Sequence, residues 1–133
     1  MINLIDYMPF ANTLGIEIEE ATPERVVGTL VVDEKICTTG KIMHGGALMA
    51  FADTLGAVGA FLNLPEGAKA STTIESKTNF LGPAPRSSTV QGECTPMHLG
   101  RRTSVWQTRL VRRADTGDDK LVAIVTQTQM VLS

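Results

Sequence analysis

Cysteine is nearly absent from the 133 residues: Cys37 and Cys94 stand far apart, with no CxxC spacing and no histidine at ligand spacing. That pattern excludes a disulfide framework and a structural zinc site, and leaves two reduced thiols as core residues. Cys37 has no base beside it in sequence, so nothing local marks it as a nucleophile. The start, Met1-Ile2-Asn3-Leu4-Ile5-Asp6-Tyr7, lacks a basic stretch and a long apolar run. It does not read as a secretory leader, and a cytoplasmic location is expected. There is no low-complexity tail, internal repeat or linker, so one domain over residues 1–133 is expected. Aromatic residues make up only 5%, and between Lys77 and Arg113 they are Phe80 and Trp106 alone. With a net charge of −2 and no recognition motif, nucleic acid is not an expected partner.

Against those absences stand 43% hydrophobic and 20% charged residues, the balance of a globular protein. Charge is unevenly spread. Lys77, Arg86, Arg101, Arg102, Arg109, Arg112 and Arg113 meet one acid, Glu93, while the remainder is acidic. The middle is therefore a candidate anion-binding surface, suited to a small multiply phosphorylated ligand. The plain alternative is that part of these arginines only solvate exposed strand faces.

From His44 to Leu64 the chain is apolar, small or neutral, apart from His44 itself and one acid, Asp53. The stretch is long enough to span a bilayer, but a central carboxylate and glycines at 45, 46, 56 and 59 argue for a helix packed inside protein, with no membrane as partner. A helix is expected from near Gly45 to near Asn63, before Pro65 and Gly67. An acid there must be desolvated or face a cleft, and a buried carboxylate is costly unless paired or used. Gly45 and Gly46 allow close approach of a ligand to the helix start, whose amides are free donors at the positive end of the dipole. A nascent oxyanion suits that place. The structural alternative is an Asp that only makes hydrogen bonds, after an ordinary Gly-Gly turn.

Ile16–Glu19 and Val26–Val32 read as strands around a Thr22-Pro23-Glu24 turn. Ser71–Phe80, Thr89–Cys94, Thr103–Val111 and Leu121–Leu132 follow as four successive strands pairing antiparallel, with residues 81–85, 96–100 and 115–118 as connectors. A single curved sheet can bury the helix by wrapping round it, and Gly56, Gly59 and Ala60 let the helix come close to the sheet or to a partner.

His44-Gly45-Gly46 with Asp53, then Ser71-Thr72-Thr73-Ile74 and Asn79-Phe80-Leu81-Gly82-Pro83-Ala84, resemble the hotdog-fold acyl-CoA thioesterases of the phenylacetic-acid-degradation type. Residues 96–107 are also similar to the 1,4-dihydroxy-2-naphthoyl-CoA hydrolases of that superfamily, and the resemblance spans about residues 14–132. It implies an α+β hotdog fold in which a long central helix is wrapped by a curved antiparallel sheet, assembled as a homodimer or a homotetramer built as a dimer of dimers, with active sites at the subunit interface. It implies hydrolysis of an acyl-CoA without metal or cofactor. The Gly45 amide then polarises the thioester carbonyl, and Asp53 acts as general base on water or as nucleophile through a mixed anhydride. Thr73 orients the attacking water, His44 orients the loop, Gly46, Met49 and Phe80 contact substrate, and Arg101 and Arg102, in a turn, hold the CoA phosphates. Phe51 and Phe61 join Met49 as apolar lining for an aromatic or medium-chain acid.

Two positions depart from the family pattern. Thr38 stands where an Asn or Gln commonly helps position the catalytic groups, and Ala57 stands four residues after Asp53 where some relatives carry Ser or Thr. Thr38, or its neighbour Thr39, is then the candidate stand-in. Two further readings stay open from sequence: a non-catalytic acyl-CoA-binding hotdog protein, and an acyl-thioester hydratase or dehydratase.

Overall fold

The computed structural model describes residues 3–133. A 3-10 turn at Leu4–Tyr7 leads into a short helix, α1 (Pro9–Leu14), closed by Gly15 in the left-handed conformation. Strands β1 (Glu17–Thr22) and β2 (Arg25–Val31) follow, then a small hairpin of β3 (Cys37–Thr38) and β4 (Ile42–Met43). The long helix α2 runs Gly45–Leu62, as the glycines and the Pro65 break require. Strands β5 (Ala70–Phe80), β6 (Thr89–Leu99), β7 (Thr103–Arg112) and β8 (Lys120–Leu132) complete the described chain.

Six of these strands make one antiparallel sheet in the order β1-β2-β6-β7-β8-β5. The four later strands pair antiparallel as expected, though not all in chain order. Short turns join β6 to β7 and β7 to β8, so those pairs form hairpins. The β5–β6 connection contains Pro83 and Pro85, and β5 crosses to pair with β8 instead, becoming the sheet's edge. Residues 96–100 are also not a connector: β6 continues to Leu99, and only residues 100–102 turn. Pro96 is accommodated beside a register shift between Pro96 and His98, where the ladder is already interrupted. Three more shifts, Ile18/Glu20, Thr73/Glu75 and Leu110/Val111, each add local twist and bend. Together they suit a sheet that has to curl round a helix.

That sheet holds α2 along one face. Phe51, Ala52 and Leu55 are fully buried against it, each large side chain contributing roughly 1.5–3 kcal/mol by its removal from water. Phe51 is thus core, not substrate lining as the sequence suggested, because it lies on the helix face turned to the sheet. Gly59 permits the close approach: a Cβ there would stand 2.7 Å from the ring of Trp106. Trp106 is itself fully buried, and its indole N–H donates to Ser104 Oγ at 2.8 Å. Cys94 is buried in the same core, and burial pushes its thiol up to about 11, partly offset by the Thr108 hydroxyl. Such a thiol is inert at neutral pH.

Candidate active site

The first turn of α2 is set by His44. Its backbone is extended (φ −62°, ψ 137°), and its Nδ1 accepts the Gly46 N–H at 2.8 Å, so the imidazole is the helix N-cap and its hydrogen sits on Nε2. The Gly46 amide is consumed by this cap. The Gly45 amide has no acceptor among the described residues and remains a free donor at the positive end of the helix dipole. Phe80, at the end of β5, lies over Gly45: a Cβ there would meet its ring at 3.1 Å. The aromatic ring can come that near the free amide only because residue 45 is glycine.

Two turns later the same helix stripe carries Asp53, since residues 45, 49 and 53 stack at i, i+4 spacing. Met49 stands half-buried between the two ends. Asp53 is exposed in the single chain, as is Phe61, while the buried Phe51, Ala52 and Leu55 face the sheet. It is nonetheless held. Asp53 Oδ1 accepts the Thr73 hydroxyl at 2.7 Å and the Gln127 side-chain amide at 3.1 Å, and Gln129 Nε2 donates to the Thr73 oxygen at 2.6 Å. Both donors reach one carboxylate oxygen, and among the described residues none reaches Oδ2. Thr73 spends its only hydrogen on Asp53 and accepts from Gln129. The Thr73/Glu75 register shift lies immediately beside this residue, at a place where such irregularities re-aim side chains.

Gln127 and Gln129 were not among the residues singled out from sequence. Their signal is there: Val125, Gln127 and Gln129 alternate on one face of β8, and an i, i+2, i+4 row beginning with a core valine places both amides inside. They are 0% and 1% exposed. Buried glutamines on a core face need partners, and these found Asp53 and Thr73.

The remaining candidates lie further off. Thr38 is exposed on the β3–β4 hairpin, whose second strand runs into His44, and among the described residues no hydrogen bond joins it to Asp53, Thr73 or Gly45. Arg101 and Arg102 are exposed in the β6–β7 turn. Beyond that turn Thr103 pairs with Met130 and Met130 with Thr72, so the two arginines lie about two strand spacings, ~10 Å, across the sheet from the β5 segment holding Thr73. The basic stretch as a whole is not one surface. Arg112 and Arg113 sit at the opposite end of β7, about 30 Å along the strand from Arg102. Arg86 is paired with Glu34 at 3.5 Å, and Glu93 is taken by Arg25 at 2.6 Å. Strand direction, invisible in a count of charges, separates them. Phe61 lines an apolar groove with Leu4, Tyr7, Met8, Ala57 and Val58. His98 is exposed beside Gly100 and touches none of the groups around Asp53. Among the described residues no cluster of His, Cys, Asp or Glu could hold a metal ion.

Comparison with known proteins gives the family. Residues 40–117 match the family described as the thioesterase superfamily. The 1,4-dihydroxy-2-naphthoyl-CoA thioesterase 2 of Arabidopsis thaliana is 32% identical over 111 residues, 82% of this chain and 69% of that protein. The proofreading thioesterase EntH of Cronobacter turicensis is 32% identical over 94 residues, covering 71% and 67% of the two chains. Among solved structures, a thioesterase of Haemophilus influenzae superposes with a TM-score of 0.86 at 29% identity, over 98% of this chain and 87% of its own.

Proposed function

The chain belongs to the thioesterase superfamily and is a thioester hydrolase, and from that premise we propose that it cleaves an acyl-CoA to the free acid and CoA at Asp53 and Gly45. The observation that carries this reading is the asymmetry at Asp53: Oδ1 is fixed by two donors and Oδ2 is free. Attack on a thioester needs a base or nucleophile on one side of the carbonyl and a donor on the other. Asp53 Oδ2 supplies the first and the unpaired Gly45 N–H the second.

In the general-base route, Oδ2 takes a proton from water as the water oxygen bonds to the carbonyl carbon. The carbonyl electron pair moves onto oxygen, opposite the Gly45 amide. Collapse of that oxyanion breaks the C–S bond, and the proton returns to sulfur, giving CoA as the thiol. In the nucleophilic route Oδ2 itself bonds to the carbonyl carbon and expels the thiolate, and water then opens the mixed anhydride. Thr38 on the hairpin, and Met49 and Phe80 beside Gly45, are proposed to border the thioester in either route.

One chain does not hold both groups close enough. Eight residues of helix advance about 12 Å, whereas a reacting carbon sits about 3 Å from each group. The proposed site therefore pairs Gly45 of one subunit with Asp53 of another. The exposed Asp53 face of α2 and the unpaired edge of β5, with Ile74 exposed on it, support a partner there.

Replacing Asp53 by Asn tests the reading. Release of free thiol from a panel of acetyl-, octanoyl- and benzoyl-CoA should fall roughly a hundredfold or more in kcat. Affinity for the same thioesters by calorimetry should change little. Normal turnover in a variant that only melts earlier would make Asp53 structural. Loss of substrate without thiol release in the unsubstituted protein would point to hydration of the acyl chain instead.

A further inference from the structure

We infer that Gln127 and Gln129 are positioning residues of the reaction, and that Gly56 keeps open the space from which Gln127 acts. The inference rests on the reading of Asp53 as the reacting carboxylate. Gln127 reaches Asp53 Oδ1 directly, and Gln129 reaches it through Thr73. A carboxylate on an exposed helix face is free to rotate about its Cβ–Cγ bond, which exchanges its two oxygens. Two donors converging on one oxygen stop that exchange and leave the other aimed outward. Charge-assisted bonds of this kind are about twice as strong as neutral ones.

The amide orientation follows from charge, since the Oε1 of Gln127 turned toward an ionised Asp53 would repel it. That orientation leaves Gln127 Oε1 buried with no hydrogen-bond partner among the described residues, an arrangement that costs free energy. A structural glutamine gains nothing from it, whereas a glutamine kept to hold Asp53 does. Oε1 lies over Gly56, where an added Cβ would collide with the Gln127 side-chain carboxamide. The small residue on α2 thus serves more than close helix packing. It leaves room for the amide at the place from which it reaches Asp53, three residues earlier on the same helix.

Two substitutions and their combination in the full chain test this, assayed with whichever of benzoyl-CoA and octanoyl-CoA turns over faster. Gln127→Met, close in volume but without a donor, should lower kcat about tenfold or more with KM within about twofold. Gly56→Ala should do the same by displacing the amide. The double variant should be no slower than Gln127→Met alone, because both act through one bond. A packing role predicts the reverse: Met fills the space and keeps kcat, and the double variant adds the two losses. Wild-type kcat in Gln127→Met, with Asp53→Asn inactive, overturns the inference and leaves the reading of Asp53 intact. Activity in Asp53→Asn overturns that reading first. If Gln127→Met does not fold, NMR of the native chain decides. The Gln127 side-chain amide protons should be protected from exchange and should shift on Asp53→Asn, and unprotected, unmoved signals would overturn the proposal.

Discussion

At the scale of single residues, His44 shows how a side chain of catalytic type can be occupied by local structure. Its Nδ1 is spent on the Gly46 amide, so the imidazole orients the first turn of α2 and with it the free Gly45 donor. His44→Ala should cost about 1 kcal/mol as a lost cap, read as a fall in Tm of about 4 °C, and should lower turnover through the disordered turn. His44→Asn, which restores a capping acceptor, should recover both. Recovery of Tm without recovery of kcat would mean that the imidazole takes part in proton transfer. The cap was legible from sequence only as a loop-orienting role, because the Nδ1 contact depends on the extended backbone at residue 44.

Secondary elements carry the next decision. The β6–β7 turn presents Arg101 and Arg102 to solvent beside the end of β8, with the Arg102 carbonyl held by the Val131 N–H at 2.7 Å. Neither guanidinium has an acidic partner among the described residues. Two free cations fixed on a short turn suit the phosphates of a CoA nucleotide. Arg101→Ala/Arg102→Ala should therefore raise KM for benzoyl-CoA more than for the matching benzoyl-pantetheine thioester, which has no nucleotide. The excess should shrink as salt is added. An equal rise for both substrates would place the turn away from the nucleotide. Arg112 and Arg113, at the far end of β7, should show no such difference between substrates. Sequence proximity grouped all of these residues, and a strand about 30 Å long set them apart.

For the whole molecule, the separation of Gly45 and Asp53 along α2 makes assembly the deciding prediction. Two antiparallel helices about a two-fold axis bring the start of each beside the middle of the other. Gly45→Pro removes the donor at the first helical position, whose backbone accepts proline after the extended His44, although its ring has to displace the Phe80 side chain lying over residue 45. Mixed with Asp53→Asn, it gives hybrid dimers with one doubly damaged and one intact site. Equal, freely reassorting mixtures should then recover roughly a quarter of wild-type activity. Hybrid dimers seen by native mass spectrometry without recovered activity would refute a shared site.

Periodicity and punctuation in the sequence determined what depends on near neighbours. The apolar run with its opening glycines and Pro65 bounded α2, and β-branched stretches marked the later strands. The order of His44, Gly45, Asp53 and Thr73, with residues 79–84 and 96–107, carried the family resemblance that implies thioester chemistry. What joins distant segments was decided only by the tertiary structure. The crossing of β5 to β8 places Thr73 beside Gln129 and opposite Asp53, and a register that sets Gln127 against Gly56 supplies the second donor. Local sequence cannot specify such meetings. Each depends on which strands pair and in what register, and packing α2 into the curved sheet fixes both at once.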